Sequence, residues 1–248
     1  MTFHGLNEIE NDYQNIKCNF QKKNNLLEAY KIADQILMHD KTMRSIFKFL
    51  IRSFEGKLRN DKKTPLVFHS IYMTRLMNLC GGEDIDSLLI ASLHDLLEDT
   101  DVSEEELKQE AFMKNKRDVI NSLKILKEDK NLSREPDGIN LPPRYLEHIS
   151  RIIGAKREVI NTEILDRFSD LMDLEYILDL PEKERDLRLR AKLLKVKSFV
   201  YNIIKNRNDF NKNCLNLFES KVSEIESKYH LKGKIQQVSK AKGEPISF

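Results

Sequence analysis

The spacing of apolar residues limits the possible folds of this chain more than any other feature. Segment after segment places apolar side chains three or four positions apart, as Tyr30, Ala33 and Ile36 do within residues 24–39. No segment alternates apolar with polar residues in the way that a half-buried strand does. Glycine and proline, with eight and six copies, are too rare for the many turns of a fold of short strands. The pattern therefore predicts an all-α protein.

Capping residues and chain breakers set the predicted boundaries of the helices. Thr64 and Pro65 are typical of an N-cap and a first helical residue. Ser103 and Glu106 form a capping box, which starts another helix. The polar, proline-rich segment 128–143 is predicted to be a surface loop. The other predicted helices cover residues 24–39, 42–55, 65–79, 84–98, 117–127, 144–153, 156–178, 182–205 and 210–229.

The charge balance, the cysteines and the hydropathy argue against several classes of protein. With 42 basic and 40 acidic residues the net charge is +2, which gives no electrostatic case for nucleic acid as an obligatory partner. The three cysteines, Cys18, Cys80 and Cys214, are too few and too far apart for a disulfide framework, and they favour a reducing cytoplasm. The first residues lack a signal-peptide pattern, and no apolar run approaches the roughly 20 residues of a membrane helix. We therefore expect a cytoplasmic protein without a membrane partner. The sequence does not indicate its oligomeric state.

The segment H-D-L-L-E-D-T places four titratable side chains on one helical surface. Because each helical residue turns by about 100°, Asp95, Glu98 and Asp99 fall within about 140° of His94. The helix that carries them, predicted over 84–98, is the most apolar in the chain and is expected to be buried. Buried titratable groups need compensation, which a divalent cation would supply. The alternative is a frayed helix end in contact with solvent.

Two further segments supply residues of the kinds that bind metals. His69 precedes His94 by 25 residues, about the length of two antiparallel helices and their turn, so the two imidazoles can meet. By itself, a histidine among apolar residues is usually a satisfied core residue. Asp166, Asp170 and Asp173 form one helical stripe at i, i+4 and i+7, which by itself is typical of a solvated acidic face. Two imidazoles with carboxylates favour Mn²⁺, Fe²⁺, Co²⁺, Ni²⁺ or Zn²⁺ over Mg²⁺ or Ca²⁺.

Four segments of the chain occur in the order in which a known family carries its motifs. Residues 64–69 read T-P-L-V-F-H, and residues 92–100 read S-L-H-D-L-L-E-D-T. Residues 145–149 read Y-L-E-H-I, and residues 165–170 read L-D-R-F-S-D. They resemble E-P-Y-I-x-H, L-L-H-D-V-V-E-D-T, Y-x-x-x-I and A-D-R-L-H-N of the HD domain of the RelA/SpoT homologues. That family hydrolyses guanosine tetra- and pentaphosphate, and the resemblance spans about residues 45–178.

The resemblance implies a single HD-domain helical bundle of the small, hydrolase-only kind, with a small nucleotide as its substrate. The implied ligands of one divalent ion, Mn²⁺ in that family, are His69, His94, Asp95 and Asp166. Glu98 and Asp99 are implied to activate or position the attacking water. The implied reaction removes the 3′-pyrophosphate and gives GDP or GTP with pyrophosphate. The candidate substrate-binding residues are Arg59, Lys62, Lys63, Arg167 and Asp170.

The substrate-binding positions depart from the family pattern more than the metal set does. Asp170 stands where the family has asparagine, so an amide donor is lost and a negative charge is added near the phosphates. The stretch from Arg59 to Lys63 replaces the family's Arg-Lys pair, and Leu66 replaces its tyrosine. Two alternatives therefore stay open. One is an HD hydrolase of another nucleotide, such as a nucleoside monophosphate, a dinucleotide or NADPH; the other is a catalytically inactive HD protein with a binding or regulatory role.

The resemblance also predicts the domain organisation. Residues 45–205 are predicted to form the HD phosphohydrolase domain. Residues 1–44 are predicted to form an N-terminal helical extension, and residues 206–248 a C-terminal helix with a loose tail. The extensions match none of the family's motifs, and the length after the HD domain is too short for a synthetase domain.

Overall fold

The computed structural model describes residues 5–22, 25–36, 40–82, 84–133 and 142–231. Throughout these ranges the regular structure is helical, apart from an isolated antiparallel bridge between Leu58 and Pro65. The all-α prediction is confirmed. In the same ranges, no helix is both long enough and apolar enough to cross a membrane.

The helices follow one another closely along the chain, and a short 3₁₀ turn at Ala111–Met113 lies between the seventh and the eighth. Their bounds are α1 (Leu6–Gln21), α2 (Asn25–Asp34), α3 (Asp40–Ser53), α4 (Val67–Leu79), α5 (Ile85–Leu93), α6 (Leu96–Asp99), α7 (Glu104–Gln109), α8 (Arg117–Leu126), α9 (Pro143–Ile153), α10 (Arg157–Met172), α11 (Glu175–Leu178), α12 (Glu182–Asn206) and α13 (Lys212–Lys228).

Helices α4, α5 and α10 form the centre of the bundle. α4 packs against α5 and α10, and α10 also contacts α5, α8, α12 and α13. Burial is complete at their contact, where Phe68, Leu89 and Phe168 are inaccessible to solvent. Because α4 and α10 carry His69 and Asp166, and His94 and Asp95 directly follow α5, the packing of the core sets the positions of the predicted metal ligands.

Helix α1 lies in the predicted N-terminal helical extension, but its bounds were not predicted. Its buried apolar residues follow helical spacing and are Ile9, Tyr13, Ile16 and Phe20. The Tyr13 ring meets the Phe68 ring of α4 edge-on, with 5.2 Å between the ring centroids. The asparagine and aspartate residues between these positions have low helix propensity, which weakened the signal in the sequence.

Helix α4 begins later than predicted, at Val67, with Leu66 at the N-cap. The Thr64 hydroxyl donates to the Asp61 carboxylate at 2.5 Å, and the Thr64 backbone N–H donates to the same carboxylate at 2.8 Å. Thr64 is therefore engaged by the preceding loop and does not cap the helix. The predicted N-cap at Thr64 and first helical position at Pro65 were wrong.

Two predicted helices are each divided in the structure. The helix predicted over 84–98 is interrupted at His94 and Asp95, between α5 and α6. The helix predicted over 156–178 is interrupted at Asp173, between α10 and α11. Asp173 has φ −103° and ψ 50°, outside the helical region. In both places the side chains at the break make polar contacts with residues of other elements.

Among the smaller predictions, the capping box is confirmed. The Ser103 hydroxyl accepts the Glu106 backbone N–H at 3.1 Å, and the Glu106 carboxylate accepts the Ser103 backbone N–H at 2.8 Å. Residues 134–141 of the predicted surface loop lie outside the described residues. The end of the first predicted helix, 37–39, and the tail 232–248 lie outside them as well.

Candidate metal centre

The predicted metal ligands come from three helices that pack on one another. His69 lies in the first turn of α4, and Asp166 lies on α10. His94 and Asp95 occupy the break between α5 and α6. Since α4, α5 and α10 are in mutual contact, the fold brings all four side chains to one place at the centre of the bundle.

Atoms of these four residues that can bind a metal lie close to one another. The two Nε2 atoms of His69 and His94 lie 3.0 Å apart. Asp166 Oδ1 lies 3.1 Å from His69 Nε2 and 3.8 Å from His94 Nε2. Asp95 Oδ2 lies 3.4 Å and 3.2 Å from the same two nitrogens. The two imidazole nitrogens and Asp95 Oδ2 thus form one group, and Asp166 Oδ1 lies beside the His69 side of it.

The outer nitrogen of each imidazole has a partner that fixes the ring. His94 Nδ1 lies 2.9 Å from the Ala91 carbonyl oxygen, to which it donates as the Nδ1–H tautomer. His69 Nδ1 lies 3.2 Å from the Ser169 hydroxyl oxygen on α10. When Nδ1 carries the hydrogen, Nε2 presents a lone pair, as a metal ligand requires. Both rings are therefore oriented toward the cluster.

Burial and charge act in opposite directions within the cluster. Burial alone would lower the pKa of His94, but Asp95 and Asp166 raise that pKa well above its ordinary value. Burial alone would raise the pKa of Asp166, but Arg167 and the two imidazoles hold it well below its ordinary value. The carboxylates therefore favour positive charge at the centre of the cluster. A divalent cation can supply that charge while both imidazoles stay neutral.

The donor set fits a transition-metal ion. His69, His94 and Asp95 offer one ligand atom each within 4.8 Å of one another, and both imidazoles are buried. The predicted fourth ligand, Asp166, is not part of that group of three, although its Oδ1 lies 3.1 Å from His69 Nε2. Imidazoles together with a carboxylate suit Mn²⁺, Fe²⁺, Co²⁺, Ni²⁺ or Zn²⁺, whereas an all-oxygen set would suit Mg²⁺ or Ca²⁺.

The two predicted catalytic carboxylates lie on α6, directly after the metal cluster. Burial raises the pKa of Glu98, and the nearby Glu128 and Asp95 raise it further. Burial likewise raises the pKa of Asp99, with Asp95 as the next cause. Glu98 Oε2 accepts the backbone N–H of Glu128 at 3.2 Å. A carboxylate whose pKa is raised toward neutrality is a better proton acceptor from water.

Two lysines that the sequence reasoning missed hold the backbone of α6. Lys130 Nζ donates to the carbonyl oxygen of Glu98 at 2.7 Å, and Lys57 Nζ donates to that of Asp99 at 2.5 Å. The last carbonyls of a helix have no partner within the helix, so cations bind them readily. Lys130 and Lys57 are 32 and 42 residues away in the chain, which no local pattern could have shown.

Arg167 and Asp170, which we predicted to bind substrate, form ion pairs around Asp166, a predicted metal ligand. The Arg167 guanidinium lies 3.1 Å from Asp166 Oδ2 and 3.1 Å from the buried Glu163 carboxylate. Asp170 Oδ2 lies 3.4 Å from Arg167 and 2.9 Å from Lys192 Nζ on α12. Arg167 is thus placed to orient Asp166, and the charge of Asp170 is compensated by two cations.

The other predicted substrate-binding residues lie in the loop before α4. Arg59 Nε donates to Asp173 Oδ2 at 3.0 Å, so this side chain is anchored at the end of α10. Lys62 and Lys63 are exposed, and Lys62 has a positive φ of 58°. The structure therefore separates the five candidates into Arg167 and Asp170 next to the cluster and three basic residues on one loop.

Helix α12 contributes a further basic group that the sequence reasoning missed. Lys195 Nζ lies 4.1 Å from the centroid of the Tyr145 ring. Burial lowers the pKa of Lys195 to about 8, with Lys192 and Arg167 as the next causes and with Asp170 and Glu128 opposing them. Those neighbours place Lys195 on the side of the cluster where Asp170 lies.

Comparisons with known proteins agree with the fold. The structure is an all-α helical bundle, as predicted, with a candidate metal centre at its core. Among solved structures it is similar to one described as a metazoan ortholog of SpoT that hydrolyses ppGpp and plays a role in starvation responses. That likeness has a TM-score of 0.55 and 21% sequence identity, and it covers 76% of this chain and 94% of the other. No family model and no curated protein sequence matches the chain.

Proposed function

We propose that this chain is a metal-dependent phosphohydrolase that removes the 3′-pyrophosphate of guanosine tetra- or pentaphosphate. The observation that carries the proposal is the proximity of His69 and His94 to Asp95 and Asp166, with Glu98 and Asp99 following on α6. The four-segment resemblance to the RelA/SpoT homologues supports it. The similarity in fold to a protein described as hydrolysing ppGpp supports it independently of those motifs.

In the proposed reaction, water and guanosine tetraphosphate give GDP and pyrophosphate. A divalent ion held by His69, His94, Asp95 and Asp166, which we propose to be Mn²⁺, would supply Lewis-acid activation of water and of a phosphoryl oxygen. Glu98 accepts the proton of the attacking water, and Asp99 orients that water. Arg167 holds the outer oxygen of Asp166, which directs the inner oxygen to the cluster.

The domain organisation belongs to the same proposal. We assign the hydrolase domain to residues 45–205, with 1–44 and 206–248 as additions. In the described residues, α1 packs on α4, and α13 packs on α1 and α10. The additions therefore contact the helices that carry the metal ligands.

One assay tests the function. Purified protein with Mn²⁺ is given guanosine tetra- and pentaphosphate, a nucleoside monophosphate, a dinucleotide and NADPH, and released pyrophosphate and phosphate are measured separately. We expect pyrophosphate from the two guanosine polyphosphates. Phosphate release from another member of the panel would replace the proposed substrate while keeping the reaction class. No release from any of them, with no metal bound at micromolar Mn²⁺, would favour a binding protein.

The basic group on α12 predicts a pH dependence of substrate use. The pKa of Lys195 in the folded protein is about 8, below its ordinary value of 10.5, so this ammonium loses its charge as pH rises above about 8. A polyanionic substrate then binds less well, and we expect kcat/KM to fall severalfold between roughly pH 7.5 and 9.5. The arginine of Lys195→Arg stays charged over this pH range, so kcat/KM of this variant is expected to fall less as pH rises. Identical pH profiles for the parent and Lys195→Arg would contradict a role for Lys195.

The aspartate at the family's asparagine position gives a second prediction. Asp170→Asn removes the carboxylate that pairs with Lys192, leaves that lysine for the substrate and restores an amide donor, while Arg167 keeps Asp166 and Glu163. We expect KM for guanosine tetraphosphate to fall about fivefold, the effect of one partly exposed ion pair, with metal content unchanged. Glu184→Gln, which breaks an exposed pair with Arg188 on α12, is the control. A clear fall in kcat/KM with metal retained would instead show that Asp170 serves a different substrate.

A further inference from the structure

Helix α1 carries a lysine that is buried in the protein. Lys17 is 2% exposed, and its ammonium lies 2.8 Å from Asp173 Oδ1 at the end of α10. The same nitrogen lies 3.5 Å from Asp61 Oδ2 in the loop before α4. Lysine is almost never fully buried without a partner, because removing an ammonium from water costs several kcal/mol. Two carboxylates on two different elements compensate the buried charge of Lys17.

One of these carboxylates also holds the predicted substrate-binding arginine. Asp173 Oδ2 accepts Arg59 Nε at 3.0 Å, while Asp173 Oδ1 accepts Lys17 Nζ. Burial raises the pKa of Asp173, but Arg59 and Lys17 lower it below its ordinary value, so Asp173 stays charged. Lys17 and Arg59 therefore share one carboxylate, and the position of Arg59 depends on a network that α1 completes.

The other carboxylate organises the loop of residues 57–66. Asp61 accepts the backbone N–H groups of Lys63 at 2.9 Å and of Thr64 at 2.8 Å. Gln21, one turn beyond Lys17 on α1, donates to the Thr64 hydroxyl at 2.8 Å. Helix α1 thus reaches the 57–66 loop through two side chains on one face.

The 57–66 loop borders the candidate active site. It carries Arg59, Lys62 and Lys63, and its Lys57 donates to the carbonyl oxygen of Asp99. It leads directly into α4, whose first turn carries His69. The contacts of α1 therefore act on the segment that would bind the substrate and that also touches the catalytic helix α6.

We infer that Lys17 is a positioning residue, through which α1 holds the 57–66 loop and Arg59 in their substrate-binding arrangement. The inference rests on the proposed function. The apolar face of α1, with Tyr13 and Phe20 completely buried, already attaches the helix to the bundle. Since a buried ion pair adds little net stability over an apolar pair, the network serves orientation more than attachment.

The test compares Lys17→Met with a matched variant of the same helix. Lys17→Met keeps the length of the side chain and removes its charge. Asp12→Asn breaks a different ion pair of α1, the one with Arg75 on α4, and leaves the loop contacts intact. Hydrogen exchange of the backbone amides of residues 57–66 is measured in both variants, together with metal content and with KM and kcat for guanosine tetraphosphate.

For Lys17→Met we expect the hydrogen-exchange rates of the backbone amides in the 57–66 loop to rise by about tenfold, as for a segment that opens locally. KM should rise about tenfold while kcat stays within roughly twofold and metal content is unchanged, the pattern of lost binding without lost chemistry. In an Arg59→Ala background, Lys17→Met should add little to KM, because the two changes act through one carboxylate. Asp12→Asn should leave loop exchange and KM at their parent values.

Two results would overturn the inference. One is a lower melting temperature of Lys17→Met with unchanged loop exchange and unchanged KM, which would make the network purely structural. The other is an equal effect of Asp12→Asn. If Lys17→Met does not fold, Gln21→Ala, which removes the exposed second contact, should show the same changes at smaller size. Loop exchange and KM that stay at their parent values in Gln21→Ala would then overturn the inference. If the parent hydrolyses no nucleotide, the proposed function fails, and loop exchange alone decides whether Lys17 holds the loop.

Discussion

Asp95→Ala is expected to reduce bound divalent metal from about one ion per chain to below roughly 0.1 after dialysis, and to abolish hydrolysis. Asp95 Oδ2 lies 3.4 Å and 3.2 Å from the two imidazole nitrogens that face the centre of the cluster. Removing this carboxylate leaves the site one donor and one negative charge short, and both are needed to hold a divalent ion. His94→Ala is expected to have the same effect. Metal analysis of protein purified in the presence of Mn²⁺ provides the measurement.

The control is a carboxylate on α5, the helix that precedes the cluster residues His94 and Asp95. Asp86 in the first turn of α5 is partly exposed and pairs with Lys116. Asp86→Ala should retain the full metal content, which excludes a general loss of acidic charge as the cause. Normal metal content in both Asp95→Ala and His94→Ala would contradict the proposed centre, whatever happened to the activity.

The four metal-ligand candidates were identified through the ordered motifs of the family resemblance, because His69 and Asp166 taken alone favoured a core histidine and a solvated acidic face. The spacing of apolar residues predicted the helices, and the packing of α4, α5 and α10 then brings His69, His94 and Asp166 together. The prediction of one continuous helix over 84–98 was wrong, but the break falls at His94 and Asp95 themselves, and both side chains still face the cluster.

The partners of the charged residues could not be predicted in the same way. Lys17 and Asp173 are 156 residues apart, and neither the burial of Lys17 nor its pairing follows from helical periodicity. The compensation of Asp170 by Lys192 depends on how α12 crosses α10. Periodicity identifies the face of a helix that is buried, whereas ion pairs between helices depend on the angle and register of packing.

Glu98→Gln is expected to retain the metal and to lose activity by about 10²–10⁴-fold, the usual contribution of a general base. The substitution keeps the size of the side chain and an oxygen that can accept the backbone N–H of Glu128. It removes the negative charge and with it the ability to take a proton from water. Because burial raises the pKa of Glu98 toward neutrality, the parent residue is better suited to this proton transfer than an exposed glutamate would be.

The role of Glu98 is separated from that of a ligand by measuring metal and activity in the same preparations. Asp101→Asn, at an exposed carboxylate just after α6, is the control and should change neither. Asp99→Asn should lower activity less than Glu98→Gln does, since orienting a water is worth less than accepting its proton. If metal content falls in step with activity in Glu98→Gln, then Glu98 is a ligand, and the base must be sought among the remaining carboxylates, with Asp99 first. If metal is retained and activity falls as expected, the residues that bind the metal are distinct from the residue that accepts the proton. The break between α5 and α6 allows this separation, because it places Asp95 in the cluster and Glu98 one turn beyond it.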